Sequence, residues 1–425
     1  CLAYGSGLLL VLLFWDDIPE ERAADFFACV LLLVAGLSLV SGANDLLTLF
    51  VALELVSIPT YILLYLPRSG SQPQEAAIKY FLLSVFSSAL LLFGFSYIYG
   101  ETGTIHLAGM AERIAGQGGS EMVIAAVVMA VAGIGFRITA VPFHFYAPDV
   151  FQGVPTPLAA MLSIVPKLAG FTALVRLGQA VFWVNPEWAA DSQTTLVLWL
   201  LAVLTMTVGN VLALLQTNLK RLLAYSSVAH GGYMLIGITA ATQLRGEGLR
   251  GIDAVFFYLA AYGAMTIGAF AVLHALRSEQ REAQTIDDLA GLGRSRPLLA
   301  LALTLFLFSL IGLPLTAGFS GKLLLFLSAL AAEDQVGDAY RGMFTVLAVI
   351  GALNAAAAAY YYLRLVGTMY LRDATRPLPA VARRPAAVVV AVCAGLTLAL
   401  GIYPSTVVSA ISRAVAEAGV VVAGR

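Results

Sequence analysis

Charge is what this sequence lacks most. Asp, Glu, Lys and Arg together make up 12% of its 425 residues, about half the share of an ordinary soluble domain, whereas 60% are hydrophobic against roughly 45–50%. That scarcity excludes a soluble globular fold. Cysteine is also scarce. Cys1, Cys29 and Cys393 stand far apart with no paired spacing, which argues against a disulfide framework and against iron–sulfur ligation. The histidines, His106, His144, His230 and His274, form no HxxxH or Cys/His cluster, so a structural metal is disfavoured as well. A net charge of −1 leaves no basic face for nucleic acid.

What is present in quantity is apolar sequence, in continuous rather than alternating runs, joined by short connections. A hydrocarbon core needs roughly 20 such residues per helical crossing, and the cost of unpaired backbone groups in lipid leaves only helices or a closed barrel. Continuous runs select helices. The reading is an all-α integral membrane bundle, one domain, with spans near 2–15, 24–40, 44–66, 76–100, 121–145, 157–183, 194–216, 220–241, 251–277, 297–330, 341–370 and 386–412. The stretches 297–330 and 386–422 are long enough to be broken or to carry an extra piece. Cys1 stands where Met is expected and the chain is apolar from residue 2, giving the expectation that residues are missing upstream. A cleaved signal peptide is the alternative, without a basic n-region or A-x-A site to support it.

Lys and Arg collect in cytoplasmic loops of membrane proteins. Counting connections from the one at 16–23, the odd set holds Arg22, Arg68, Lys79, Lys220, Arg221, Arg277, Arg281, Arg294, Arg296, Arg372, Arg376, Arg383 and Arg384. The even set holds Arg113, Arg176, Arg245, Arg250 and Arg341. Thirteen against five predicts cytoplasmic odd connections and a periplasmic C-terminus. The Ala/Leu/Arg-rich composition points to a bacterial inner membrane.

Four charges fall inside apolar runs: Glu54 in LFVALELVSIPTY, Arg137 in AGIGFRITAVPFHF, Lys167 in MLSIVPKLAGF and Lys322 in AGFSGKLLLF. An ionisable side chain at mid-membrane costs about 2.5–3.5 kcal/mol on insertion scales, so it marks a partner or a wet cavity. A buried lysine changes its proton affinity when a carboxylate moves, which is the chemistry of a proton relay. Arginine stays charged and cannot take that part. Helix breakers accompany these residues: Pro142 after Arg137, Pro166 before Lys167, and Pro314, Gly318 and Gly321 before Lys322. In transporters, interrupted helices line the ion path. The spans of Arg137 and Lys322 lie five apart, so they cross in opposite directions, as an inverted repeat requires. His144 in PFHFYAPD and His230 in AYSSVAHGGYM could extend a relay through either ring nitrogen.

Each feature has a plainer reading. The lysines could be tied to a helix terminus or snorkel to the surface, Glu54 could be a structural ion pair held by Arg137, and each histidine could be packed and hydrogen-bonded. Asp149 reads as a cap or loop tie, and Tyr360, Tyr361 and Tyr362 read as interfacial or packing aromatics.

The segments ALELVSIPTY, EAAIKYFLLS, AVPFHFYAPDVFQGVPTP, QTNLKRLLAYSSVAHGGYM and SLIGLPLTAGFSGK together resemble the N-type antiporter-like membrane subunits of respiratory complex I, from about residue 24 to 370. KYFLL, PDVFQG and GFSGK point to the N-type rather than to the M- and L-type paralogues or cation/proton antiporter subunits. The resemblance implies fourteen helices with two inverted five-helix repeats, each with a discontinuous helix, which the chain matches if two spans are absent upstream. It divides the chain into 1–23, a partial span, 24–183 and 184–371, the two repeats, and 372–425, a last span and tail.

By the same resemblance the family's acidic residue falls at Glu54, its lysines at Arg137, Lys167 and Lys322, and its histidines at His144 and His230. Arginine at 137 preserves an ion pair and removes the switch, which shifts the central role to Lys167 and the exit side to Lys322. The implied function is proton translocation as a non-redox subunit of an NADH:quinone oxidoreductase. No cofactor is then expected here: flavin, iron–sulfur clusters and quinone sit on partner subunits. Expected neighbours are the M-type and the small K-, J- and A-type membrane subunits, with lipid. A stand-alone cation/proton antiporter and a non-conducting spacer of the membrane arm are the alternatives.

Overall fold

A computed structural model describes residues 1–66, 71–117, 121–183, 193–244, 251–277, 282–334, 342–374 and 384–417. Arg68, Arg245, Arg250, Arg281, Arg341, Arg376 and Arg383 of the loop-charge count lie outside the described residues. The elements are α1 (Leu2–Phe14), α2 (Glu20–Gly42), α3 (Leu46–Tyr65), α4 (Ser71–Thr102), α5 (Leu107–Gln117), α6 (Glu121–Arg137), α7 (Ala147–Gly153) and α8 (Thr156–Leu177). They continue as α9 (Gln193–Leu214), α10 (Leu219–Ala241), α11 (Gly251–Ala275), α12 (Pro297–Ile311), α13 (Ala317–Glu333), α14 (Met343–Leu371), α15 (Arg384–Ile402) and α16 (Pro404–Glu417). No strand occurs among the described residues. Among the described residues eight helices are long and apolar enough to cross a membrane, and Leu2–Phe14 and Pro297–Ile311 are shorter apolar helices.

Local chemistry sets the helix starts. Asp45 accepts the Thr48 backbone N–H at 2.7 Å to begin α3, and Asn218 accepts those of Lys220 and Arg221 to begin α10, satisfying donors that the first turn cannot pair. The long C-terminal stretch is broken, as its length allowed: α15 ends at Ile402 and α16 starts at Pro404. Helix α5 falls in the connection between the spans expected at 76–100 and 121–145 and is amphipathic rather than apolar.

Two spans are interrupted. Helix α6 stops at Arg137, Thr139 takes φ 58°, and the chain becomes helical again only at Ala147. Helix α12 stops at Ile311, Gly312 closes it at φ 95°, Leu315 takes φ 70°, and α13 starts at Ala317. A left-handed non-glycine residue costs of order 1–3 kcal/mol and persists only where its surroundings hold it. Pro166, by contrast, interrupts nothing, since α8 runs through it. Nor do Gly318 and Gly321 break α13. A Cβ at Gly318 would meet the Ser309 carbonyl oxygen and one at Gly321 the Tyr258 ring, so both glycines permit close helix approach.

Helices α8, α10 and α11 are buried along nearly their whole length and form the axis of the bundle. The connections alternate between two ends. Ion pairs join odd connections to one another: Asp17 with Arg277 at 2.9 Å, Asp149 with Lys79 and Arg221, Lys220 with Glu282 at 2.9 Å, and Asp373 with Arg294. Even connections meet at the other end, through the Asp45–His106 bridge, the Arg176–Ser41 hydrogen bond and the Thr195–Thr242 hydrogen bond.

Candidate functional site

Helix α10 carries the polar line of the interior. Ser226 and Ser227 stand four and three residues before His230 and Tyr233 three after it, so they share one side of the helix, and each is at least 98% buried. Helix α8 brings Lys167 to one flank of this side and α13 brings Lys322 to the other.

Lys167 is 1% exposed. Its ammonium donates to Thr139 Oγ1 at 2.7 Å and to Ser227 Oγ at 2.8 Å. The left-handed turn at Thr139 thus has a local consequence, since the interruption after α6 is what places this hydroxyl on the lysine. Hydroxyls both donate and accept, so these partners can bond the ammonium or the neutral amine.

Glu54 and Arg137 form the ion pair expected of them, Arg137 Nη2 to Glu54 Oε1 at 2.8 Å. Ser88 donates to the same carboxylate and accepts from Arg137 at 3.2 Å. Arg137 also bonds Ser57 and the Leu53 carbonyl oxygen at 3.0 Å. Arg137 lies two residues before Thr139, so this polar cluster borders that of Lys167. Glu54 is 25% exposed, which sets it at the edge of the bundle rather than on its axis.

Lys322 is 4% exposed and donates to the carbonyl oxygens of Leu310 and Ile311 at 2.8 and 2.9 Å. These are the last carbonyls of α12, freed because the helix stops there, and they form the negative end of its dipole. The ammonium also lies 4.8 Å from the Tyr233 ring centroid, a cation–π contact. His230 stands between the lysines. Its Nδ1 pairs with Tyr258 Oη at 2.6 Å and its Nε2 with Tyr362 Oη at 3.2 Å, and Tyr362 bonds Ser226 in turn.

The structure therefore brings Glu54 to Arg137 and sets Lys167, His230 and Lys322 along one helix. His144 stands apart, half-buried in the stretch after α6, with no hydrogen bond to any of them among the described residues. Thr139, Ser227, Tyr258 and Tyr262 belong to the line and escaped the sequence reading because hydroxyls in apolar helices are common. Of the three tyrosines read as interfacial or packing aromatics, Tyr360 is exposed, whereas Tyr361 and Tyr362 are packed inside, Tyr361 donating to Asn210 Oδ1 at 3.0 Å and Tyr362 reaching His230. Their spacing against α10 could not be seen before the helices were packed. Asp149 is a structural tie, though between helices rather than loops: from α7 it pairs with Lys79 of α4 and Arg221 of α10. No group of three His, Cys, Asp or Glu able to hold a metal occurs among the described residues.

Residues 43–351 match the family described as "NADH:quinone oxidoreductase/Mrp antiporter, TM". NADH-quinone oxidoreductase subunit N of Trichlorobacter lovleyi is 42% identical over 93% of this chain and 78% of its own length. That of Rhodospirillum rubrum is 39% identical over 96% of this chain and 80% of its own length. Among solved structures, a chain of respiratory complex I from Thermus thermophilus superposes with a TM-score of 0.78 at 34% identity, over 96% of this chain and 84% of that one. A chain of the Mrp complex from Dietzia reaches 0.81 at 21% identity over 100% and 85%, a likeness of fold alone.

Proposed function

This chain belongs to the NADH:quinone oxidoreductase/Mrp antiporter membrane family, and from that premise we propose that it is the proton-translocating N-type membrane-arm subunit of an NADH-quinone oxidoreductase. The observation that carries the reading is Lys167: an amine enclosed at the centre of the bundle whose side-chain partners are hydroxyls able to serve either protonation state. Such a residue can take up and give up a proton without rearranging its neighbours. Subunit N relatives near 40% identity favour this over a stand-alone cation/proton antiporter.

In the proposed path Lys167 is the central carrier, His230 with Tyr258 and Tyr362 links it to Lys322, and Lys322 serves the exit side. The Glu54–Arg137 pair supplies a field that changes if the two separate. Arg137 holds a fixed charge, so it orients Glu54 and carries no proton. His144 is given no part. Redox chemistry belongs to partner subunits carrying flavin, iron–sulfur clusters and quinone, and the chain contributes to the enzyme as a translocase without a redox group of its own.

The two interruptions, each with a left-handed non-glycine residue and five spans apart, support inverted repeats over 24–183 and 184–371. The excess of Lys and Arg on the odd connections supports a bacterial inner-membrane orientation with that end in the cytoplasm and the C-terminus in the periplasm.

In the reconstituted complex, Lys167→Ala should lower the ratio of protons pumped to electrons transferred while assembly is retained. An unchanged ratio in a fully assembled complex overturns the assignment. The permanent charge at Arg137 favours one second reading, a non-conducting spacer; full pumping after loss of both Lys167 and Lys322 selects it.

A further inference from the structure

We propose that Glu282, paired with Lys220, is the proton-loading residue at the mouth of a hydrated file that runs from the odd-numbered end to Lys167 between α8, α10 and α11. The proposal rests on the conduction reading above and adds the side of supply and the residue that performs it.

The pair closes the odd end of the axial helices. Lys220 Nζ lies 2.9 Å from Glu282 Oε1 and donates to the Val154 carbonyl oxygen at 2.8 Å, with side-chain exposures of 8% and 12%. Thr156, the first residue of α8, donates to the same carboxylate oxygen. An acid so enclosed, yet still touched by solvent, is placed to exchange protons with the aqueous phase and to pass them inward.

Helix geometry aims this pair at Lys167. On α8, Thr156, Ala160, Ser163 and Lys167 follow at steps of four, three and four, which keeps them on one side. On α10, Lys220, Ala224 and Ser227 do the same. At 1.5 Å per residue, Ser163 and Ser227 lie about 10 Å below the mouth and Lys167 about 16 Å below Thr156. Helix α11 completes the passage with Tyr262 and, one turn nearer the mouth, Thr266. Ser163, Ser227 and Thr266 surround the Tyr262 hydroxyl.

The second observation concerns those hydroxyls. Tyr262 Oη and Thr266 Oγ1 are buried and, close as the neighbouring hydroxyls lie, neither makes a hydrogen bond of regular geometry. Buried hydroxyls are satisfied by protein or by ordered water. Two such groups side by side, next to Ser227 and so next to Lys167, mark a place where water completes the bonding and a proton can pass. Between mouth and hydroxyls α8 and α10 offer Ala160 and Ala224, and α11 offers Ala269 and Phe270 one turn beyond Thr266, all 0% exposed. Such an apolar neck can gate the file by wetting and drying.

The test uses the assembled complex in proteoliposomes, reading pumped protons per electron. Glu282→Gln keeps an acceptor for Thr156 and should lower the ratio severalfold, and Glu282→Asp should restore most of it, a rescue that a clamp role does not require. Thr266→Val removes a hydroxyl that makes no hydrogen bond of regular geometry in the protein, so a structural role expects wild-type pumping, whereas the file expects a lower ratio. A wild-type ratio in both Glu282→Gln and Thr266→Val overturns the proposal. If Lys167→Ala abolishes pumping while those two do not, the mouth alone is wrong. If none of the three changes it, the conduction reading falls with it.

Discussion

Arg137 grips Glu54 from the opposite helix with one nitrogen at 2.8 Å while its other terminal nitrogen bonds the Leu53 carbonyl oxygen and Ser57. The guanidinium is thus fastened to α3 on both sides of the carboxylate. Its planar fork suits this multiple attachment better than an ammonium would.

Two substitutions at 137 separate holding from switching. Arg137→Ala leaves the Glu54 carboxylate without its cation, and breaking a buried pair from one side costs about 3–5 kcal/mol, less for a partly exposed partner. The yield of assembled complex, read on native gels, should fall. Arg137→Lys keeps the pair and introduces a titratable amine; it should assemble and pump at least as well as the parent. If Arg137→Ala assembles and pumps like the parent, the pair has no part in either.

Tyr362→Phe removes the hydroxyl that joins Ser226 to His230. Leaving those two groups without it costs of order 1–3 kcal/mol, seen as a lower melting temperature of the complex. The ratio of protons to electrons should also fall, because the phenol links α14 directly to His230 in the line between the lysines. Tyr360→Phe, on the exposed face of the same helix, should change neither quantity.

The orientation is open to labelling. With the exposed Cys1 replaced by serine, a cysteine at Gln284, exposed on the odd end, should react with an impermeant maleimide only after cells are opened. One at Ser405, exposed on α16, should react in intact spheroplasts. The reverse pattern inverts the bundle.

The spans and the buried charges were legible because each depends on residue type and local run length, and the Glu54–Arg137 pairing because Glu54 is the one acid among the four charges in apolar runs. Breaks were legible only in part. Pro314 marks a real interruption, but Pro166 sits in a continuous helix, and Gly318 and Gly321 serve packing against Ser309 and Tyr258; a breaker's effect depends on what lies opposite. The hydroxyls of Thr139, Ser227, Tyr258 and Tyr362 were not legible at all. They acquire meaning by meeting Lys167 and His230 across helices distant in sequence, a relation that no local pattern encodes.

Asp149 gives a pH dependence whose sign can be worked out. Partial burial pushes its carboxyl up, but hydrogen bonds from Arg221 and Lys79 outweigh this and hold it below its usual 3.8. The folded protein therefore favours the carboxylate more than the unfolded chain does. The resulting stability is fully present above pH 3.8 and is lost as pH falls through the lower folded value. The carboxylate is 42% exposed, so screening keeps the effect within about 1 kcal/mol. Asp149→Asn should accordingly lower the melting temperature slightly at neutral pH, and the gap from the parent should close as the medium is acidified below about pH 4. A gap that stays constant through that range would mean that α4, α7 and α10 are joined there by packing and neutral hydrogen bonds, with the charge of Asp149 contributing nothing.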